Sequence, residues 1–190
     1  MSLIDSNNLP IHIGIIMDGN GRWAENQNME RISGHIQGVE TVKTIVESCA
    51  QLKIPYLTLY TFSKENWNRP KKEVDGLMSL LSSSLKSELE KLNRNNIVFQ
   101  IVGKIEEMPS NLQELIMDTI SKTKNNTGLT LALALSYSGR QEIIDATNKI
   151  LASNKQDVNE DTFRDYLYSP NTPDPDLIIR TGGERRLSNF

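Results

Sequence analysis

The amino-acid sequence predicts an α/β fold, with a mainly parallel central sheet and helices on both faces. Short apolar runs that are typical of buried strands alternate along the chain with longer segments of helical periodicity. A strand, a helix and a second strand in this order form a βαβ unit, and successive units build a parallel sheet. Since neither a repeat nor a linker interrupts the pattern, we expect one domain over residues 1–190.

The predicted strands are apolar runs at 11–17, 56–62, 97–103, 129–136 and 176–180. Between them, apolar residues recur three and four positions apart, which predicts helices at 33–52, 73–92, 111–124 and 139–152, and a shorter one at 159–168. The connections, such as NNTG and SPNTPDP, are rich in turn-forming residues. The elements therefore follow one another with short turns, as in other parallel α/β domains.

The segment 74–92 allows two interpretations. Its apolar stripe consists of leucines and is interrupted by three consecutive serines: Leu77, Leu80, Leu81, Leu85, Leu89 and Leu92, with Ser82, Ser83 and Ser84 between them. Such a stripe is typical of a helix that packs on the core. Alternatively, the small serine side chains leave room beside the helix for an apolar ligand. The pattern favours the first interpretation but does not decide between the two.

Composition and charge exclude several classes of protein. The net charge of −3 is unlike the basic excess of a general nucleic-acid binder. Cys49 is the single cysteine, so no intrachain disulfide forms and a reducing compartment fits best. The first ten residues lack the basic start and apolar core of a signal peptide, and no window approaches the ~18 apolar residues of a membrane span. We expect a cytoplasmic protein that binds no nucleic acid.

Polar residues gather after the first predicted strand, in the stretch DGNGRWA at 18–24. Asn-Gly favours a hairpin turn, but no alternating strand follows it. Glycines let the backbone approach a ligand closely, and N–H groups at the start of a helix bind anions. Asp18 is suited to hold a Mg²⁺ ion that bridges to a phosphate; the structural alternative is an Asx turn that caps a helix. The stretch matches neither the P-loop nor the dinucleotide fingerprint, so no nucleotide site is predicted.

Further polar stretches follow the other strands. Arg31 and His35 lie at the start of the next helix, FSKENWNRP occupies 62–70, and RTGGERRLSNF occupies 180–190. Arginines and hydroxyls around glycines suit a diphosphate, although a structural histidine and solvated loops are the alternatives. Because ligands bind at the carboxyl ends of parallel strands, the loops together predict substrates that carry two diphosphates, helped by a divalent metal.

These stretches resemble the cis-prenyltransferases, most closely the bacterial undecaprenyl diphosphate synthases. The similarity runs from His12 to Phe190, and its signatures are MDGNGRWA (17–24), Arg31 with GH at 34–35, LTLYTFSKENWNRP (57–70), NNTGLTL (125–131) and LIIRTGGERRLSNF (177–190). The resemblance implies the fold of that family and a Mg²⁺-dependent transferase. Such an enzyme condenses isopentenyl diphosphate onto farnesyl diphosphate with Z stereochemistry, giving undecaprenyl diphosphate for the cell-wall lipid carrier.

The resemblance also implies roles for individual residues. Asp18 corresponds to the catalytic, Mg²⁺-linked carboxylate, and the primer diphosphate would lie among Gly19, Asn20, Gly21, Arg22, Trp23, Arg31 and His35. Trp23 taken singly is a residue type expected in the core. Asn66 would act at the reacting ends of the two substrates within a loop that also contains Ser63, Glu65, Trp67 and Arg69, supported by Glu73. The isopentenyl diphosphate pocket would consist of Arg180, Arg186 and Ser188, and the 74–92 helix would line a tunnel for the growing chain.

Partners and competing functions follow from the same resemblance. It implies a homodimer, and transient membrane contact through the lipid product. One alternative is a non-catalytic partner subunit of a two-component cis-prenyltransferase, in which the primer-site motifs are degraded. Another is a phosphate hydrolase, which needs a nucleophile or an activated water that the sequence does not offer. The intact DGNGRWA and ENWNRP stretches favour the enzyme.

Two features depart from the family pattern. Ser136-Tyr137-Ser138-Gly139-Arg140 stands where the family usually has Asn-Tyr-Gly-Gly-Arg, which puts in question any role of the absent Asn and Gly. Relatives also continue beyond the segment that matches RLSNF, with a metal-binding glutamate and much of the dimer surface. We therefore expect the sequence to be an incomplete synthase, poorly stable and inactive as it stands.

Overall fold

The computed structural model describes residue 5, residues 8–153, residue 155 and residues 157–190. Within these residues, five parallel strands form a single sheet in the order β3-β4-β2-β1-β5. They are β1 (His12–Ile16), β2 (Tyr56–Ser63), β3 (Val98–Gly103), β4 (Thr130–Tyr137) and β5 (Leu177–Arg180). The predicted parallel α/β class is confirmed, and each predicted strand is present with its ends shifted by at most one residue. The prediction that the first ten residues are not a signal peptide rests in part on residues 1–4, 6 and 7, which lie outside the described residues.

Helices connect the strands. They are α1 (Asn20–Asn26), α2 (Arg31–Gln51), α3 (Lys71–Arg94), α4 (Ser110–Thr123), α5 (Gly139–Ala152) and α6 (Glu160–Arg164), with 3-10 turns at Lys64–Asn68 and Ile105–Glu107. In the described part of the chain, no helix has the length and apolar character that a membrane span requires.

The helices differ from the prediction in two regions. The segment after β1 forms a helix of its own, α1, which a turn separates from α2; α2 begins at Arg31, before the predicted start. The predicted helix at 159–168 ends early, as α6, after an Asn159 capping box. Beyond its end, Tyr168 donates its backbone N–H to Glu142 Oε1 at 2.8 Å and its hydroxyl to Asp145. These contacts with α5 compete with continuation of the helix.

The main core lies between one face of the sheet and helices α2, α3 and α4. Alternate residues of the strands point to this face, as the period of two in a strand requires. The core includes Leu57, Leu59, Phe99, Leu131, Leu133 and Leu135 from the strands, and Val46, Met78, Leu85, Leu112 and Ile116 from the helices. This burial confirms that α3 has a core-facing side.

The opposite face of the sheet carries a smaller aromatic cluster that holds the end of the chain. Phe190 stacks on Tyr60 with ring centroids 4.8 Å apart, and Tyr137 meets both rings edge-on. The Tyr137 hydroxyl donates to Glu142 of α5 at 2.7 Å. A Cβ at Gly14 would lie 3.0 Å from the Phe190 ring, so glycine makes room for it. The segment that follows β5 is thereby folded back beneath the carboxyl edge of the sheet.

Candidate active site

The site lies at the carboxyl edge of the sheet, where β1 is the neighbour of both β2 and β5. Ile16 pairs with Tyr60 on one side and with Arg180 on the other, so β1 and β5 end at the same level, while β2 continues to Ser63. The polar stretches that begin at Asp18, Ser63 and Thr181 therefore converge. Their convergence follows from the sheet order, because each stretch continues from the end of its own strand.

Asp18 is the centre of the contact between the first and last of these stretches. Its Oδ2 accepts from Arg180 Nη2 at 2.8 Å and lies 3.3 Å from Arg22 Nη2. Its Oδ1 accepts from the Gly19 N–H at 2.7 Å, and its backbone N–H donates to Thr181 Oγ1 at 2.9 Å. Burial by itself raises the pKa of Asp18, but the hydrogen bonds from Arg180 and Gly19 outweigh it and hold the pKa below the usual value. Asp18 is thus a carboxylate at neutral pH.

Glycines allow the two stretches to approach each other. Gly19 and Gly182 have φ values of 95° and 81°, in the left-handed region that favours glycine. A Cβ on Gly19 would lie 3.0 Å from Gly182 Cα, so side chains would push the two loops apart. This close approach allows Arg180 to reach Asp18.

A second group of charges surrounds Glu73, at the start of α3. Its Oε1 accepts from Arg69 Nη1 at 2.9 Å, and its Oε2 lies 3.6 Å from Arg31 Nε. Arg31 also pairs with Glu25 at 2.8 Å. Glu73 thereby links the start of α2 to the loop after β2, which agrees with the supporting role that the resemblance implies for it.

His35 faces the cavity beside this group. Its Nε2 is buried and has no hydrogen-bond partner among the described residues. Burial, followed by the positive charge of Arg69, lowers the pKa of His35, while Glu73 opposes the shift. A buried ring nitrogen without a partner is a site at which a ligand oxygen or N–H is favourable.

The loop after β2 is a structured turn. Ser63 begins the 3-10 turn with a capping box, in which the Ser63 N–H donates to Asn66 Oδ1 at 3.1 Å. Asn189 donates to Glu65 Oε1 at 2.8 Å, which ties the loop to the segment after β5. The Trp67 ring packs edge-on against Phe62 with centroids 4.9 Å apart. Trp67 therefore supports the loop from behind.

The segment after β5 presents arginines and a hydroxyl. Arg180 Nη1 donates to Ser188 Oγ at 2.6 Å and to the Arg186 carbonyl at 2.5 Å, while its buried Nε has no partner among the described residues. Arg186 pairs with Glu184 and is 62% exposed. Arg180 is thus held by several partners, whereas Arg186 is exposed and lines the cavity beside its ion pair with Glu184.

A cavity of about 690 Å³ extends from these charges into the interior. Its inner walls are apolar and come from α2, α3 and the core face of the sheet: Val39, Val42, Leu77, Leu80, Leu81, Leu59, Phe99, Leu131 and Leu133. Ser84 also lines this part, so the second interpretation of α3 holds as well as the first: the helix packs on the core and borders a space for a ligand. The volume is within the range of small-molecule sites.

The structure brings together most of the residues predicted for the site. Those that line the cavity are Asp18, Asn20, His35, Ser63, Glu65, Asn66, Arg69, Arg180, Arg186 and Ser188. Those that lie outside its lining are Gly19, Gly21, Arg22, Trp23, Arg31 and Trp67. Trp23 is 45% exposed, so the expectation that its residue type belongs in the core is wrong.

Two further residues matter to this site. Thr181 and Asn189 each connect two of the converging loops, to Asp18 and Glu65 respectively. Both lie in the RTGGERRLSNF stretch, but their partners could be found only in the folded chain.

In the described part of the chain, no three His, Cys, Asp or Glu residues are grouped so that they could hold a metal ion by themselves. Asp18 is the carboxylate at the cavity mouth that also faces the arginines. Mg²⁺ commonly binds one or two carboxylates together with substrate phosphates and water. Asp18 therefore fits a Mg²⁺ ion that arrives with a diphosphate.

A parallel α/β sheet whose carboxyl edge joins an arginine-rich anion site to a deep apolar cavity defines a protein that binds amphipathic molecules with an anionic head. Residues 16–190 match the family described as "Putative undecaprenyl diphosphate synthase". The chain belongs to this family of prenyltransferases.

Individual relatives agree with this assignment. An isoprenyl transferase of Clostridium tetani is 48% identical, over 98% of this chain and 76% of that protein. The ditrans,polycis-undecaprenyl-diphosphate synthase ((2E,6E)-farnesyl-diphosphate specific) of Micrococcus luteus is 46% identical, over 98% of this chain and 78% of that protein. Lavandulyl diphosphate synthase from Lavandula x intermedia, solved with dimethylallyl diphosphate, superposes with a TM-score of 0.91 at 36% identity, covering 95% and 81% of the two chains.

Proposed function

We propose that this prenyltransferase condenses isopentenyl diphosphate onto farnesyl diphosphate with Z stereochemistry and repeats the reaction to undecaprenyl diphosphate, for the cell-wall lipid carrier. The observation that carries the proposal is the continuity between the arginine-rich mouth and the apolar cavity. A prenyl diphosphate has the same two parts, an anionic head and an apolar chain. The name of the Micrococcus luteus relative specifies (2E,6E)-farnesyl diphosphate, which supports farnesyl diphosphate as the primer here.

In the proposed reaction, the alkene of isopentenyl diphosphate attacks C1 of the primer. A carbon–carbon bond forms, the C1–oxygen bond breaks, diphosphate leaves, and a proton leaves the extending unit. Negative charge grows on the leaving diphosphate, so fixed cationic groups at the mouth stabilise the transition state. Arg69, Arg180 and Arg186 line the cavity and supply that charge. His35 Nε2, buried without a partner, is placed to contact a diphosphate oxygen.

Mg²⁺ is part of the proposal. Asp18 would hold the ion together with substrate diphosphate oxygens, and when bound the ion neutralises charge on the leaving group. Arg180 and Gly19 keep the Asp18 carboxylate ionised and oriented for this role. Asn66, oriented by the Ser63 N–H, would contact the reacting ends of both substrates. Homodimer formation, a cytoplasmic location and transient membrane contact through the product stay predictions.

The test is incorporation of labelled isopentenyl diphosphate in the presence of farnesyl diphosphate, with Mg²⁺ or with EDTA, by the chain alone and by the chain extended with a relative's C-terminal segment. We expect Mg²⁺-dependent incorporation by the extended chain, and a long product with Z double bonds. E stereochemistry at the newly formed double bonds, as distinct from those of the primer, would contradict the stereochemical proposal. Incorporation that is undiminished in EDTA would contradict the metal. A folded chain that incorporates nothing alone, but does so with a second subunit, would favour the non-catalytic partner.

A further inference from the structure

We infer that Glu107 and Ser136 are positioning residues for the proposed reaction, which hold the 3-10 turn Lys64–Asn68 against the sheet and thereby orient Asn66 at the substrates. The inference rests on the proposed function. Neither Glu107 nor Ser136 lines the substrate cavity, so both act through the loop. Ser136 is also the position at which the sequence departs from the family's usual Asn.

The residues form a closed ring of polar contacts. The Trp67 indole Nε1–H donates to Ser136 Oγ at 2.8 Å, and the Ser136 hydroxyl donates to Glu107 Oε2. The other oxygen of Glu107 accepts from Lys64 Nζ. Lys64 and Trp67 belong to the same 3-10 turn, so one carboxylate holds that turn at two points, once directly and once through Ser136.

The backbone at Ser136 is built to aim its side chain at this ring. In the pairing of β2 with β4, Phe62 is opposite Leu135 and Ser63 is opposite Tyr137, so Ser136 is an extra residue in the ladder. Its φ is 45°, in the left-handed region that a serine seldom occupies. Such bulges commonly redirect a side chain beside an active site. The side chain is 1% exposed, and its hydroxyl therefore needs the partners that Trp67 and Glu107 provide.

Glu107 is ionised in this setting. Burial alone raises the pKa of Glu107, but hydrogen bonds from Lys64 and Ser136 and the charges of Lys64 and Lys104 lower it further than burial raises it. An ionised carboxylate that accepts from an ammonium and a hydroxyl holds both donors more strongly than a neutral acceptor does. Loss of Glu107 would free both anchor points of the turn at once.

The turn carries the cavity-facing residues of the loop. The cavity is lined by Ser63, Glu65, Asn66 and Arg69. In contrast, Lys64 and Trp67 point away from the cavity, toward Glu107 and Ser136. A displacement of about 1 Å of a substrate-orienting group costs on the order of a hundredfold in rate. Loss of these polar contacts should therefore lower kcat more than it weakens binding of the prenyl chain in the apolar part of the cavity.

The test compares Glu107→Ala with Glu106→Ala, since Glu106 is the exposed neighbour in the same 3-10 turn and, among the described residues, its side chain makes no hydrogen bond or ion pair to the loop. We expect Glu107→Ala to lower kcat for isopentenyl incorporation by about tenfold to a hundredfold. Glu106→Ala should stay within about twofold of the parent. Glu107→Gln keeps an acceptor for Ser136 but loses the charge that faces Lys64, so it should recover part of kcat.

A spectroscopic readout separates this role from the proposed function. The chain has two tryptophans, so Trp23→Phe, used for fluorescence only, leaves Trp67 as the reporter. Acrylamide quenching of Trp67 should rise in Glu107→Ala and in Ser136→Ala, but not in Glu106→Ala. The double variant that carries Glu107→Ala and Ser136→Ala should show a smaller fold-decrease in kcat than the product of the two single-variant decreases. The reason is that both residues belong to the same ring of polar contacts.

The outcomes are distinguishable. If neither the parent chain nor the chain extended with a relative's C-terminal segment incorporates isopentenyl diphosphate, the proposed function fails, and the quenching comparison still tests the ring of polar contacts. If Glu107→Ala matches Glu106→Ala in both kcat and quenching, the inference is overturned. If Glu107→Ala does not fold, Ser136→Ala takes its place in the same comparison. A Ser136→Ala variant with the parent's kcat and quenching would then overturn the inference.

Discussion

Asp18 Oδ2 and Arg180 Nη2 lie 2.8 Å apart, although the two residues are separated by 162 positions in the chain. The pair joins the loop after β1 to the end of β5, at the mouth of the apolar cavity. It places a carboxylate and a guanidinium side by side, as the proposed metal and diphosphate require. Opposite charges held this way are suited to bind a metal–diphosphate unit, in which both signs are present.

The first prediction concerns Asp18. We expect Asp18→Ala to lose at least nine tenths of the elongation activity while its melting temperature changes little, because partly exposed ion pairs contribute only about 0–1 kcal/mol to stability. Glu184→Ala is the control, since Glu184 is also a carboxylate near Arg22 but does not line the cavity. Turnover and thermal melting are measured for both. A folded Asp18→Ala variant with more than a tenth of the parental turnover would remove Asp18 from the metal role.

The second prediction concerns Arg186. Arg186→Ala should raise KM for isopentenyl diphosphate by roughly ten- to a hundredfold, the equivalent of a hydrogen bond to a charged group worth about 1.5–3 kcal/mol. KM for the primer should change little. Arg185→Ala is the matched control, because Arg185 is exposed and outside the cavity lining. Arg180→Ala should affect both substrates, because Arg180 also contacts Asp18. Equal effects of Arg186→Ala on both KM values would contradict two separate diphosphate pockets.

The third prediction concerns product length. Ser84 lines the apolar part of the cavity, whereas the adjacent Ser83 is exposed. Ser84→Phe should shorten the product without slowing the first condensation, since a large ring fills space that the lengthening chain needs. Ser83→Phe should leave the product distribution unchanged. Chromatography of the radiolabelled products makes the comparison, and identical distributions from both variants would show that the chain does not extend along α3.

The fourth prediction concerns the packing of α1 on α2. A Cβ at Gly34 would lie 1.9 Å from the Asn20 carbonyl oxygen, a backbone atom that cannot move aside. Gly34→Ala should therefore destabilise the fold by about 1–3 kcal/mol, as overpacking does. Gly38→Ala is the control: its Cβ meets the end of the Asn20 side chain at 2.8 Å, and that side chain can rotate. Chemical unfolding of both variants makes the comparison; equal stability would refute the close helix contact.

The sequence by itself determined the strands, most of the helices and the location of the polar loops. Those features are local, because hydrophobic periodicity and turn residues report the burial and conformation of neighbouring positions. The DGNGRWA and RTGGERRLSNF stretches were recognisable without a structure for the same reason. Their residue types and spacing already indicated an anion site.

Only the tertiary structure decided which of these residues meet. The order β2-β1-β5 places Arg180 beside Asp18, and no local pattern specifies which strand is the neighbour of another. Packing likewise turned Ser84 rather than Ser83 toward the cavity and left Trp23 on the surface. The bulge at Ser136 depends on the pairing of two distant strands. Such contacts arise from the balance of long-range packing over the whole domain, which the residue type at one position does not record.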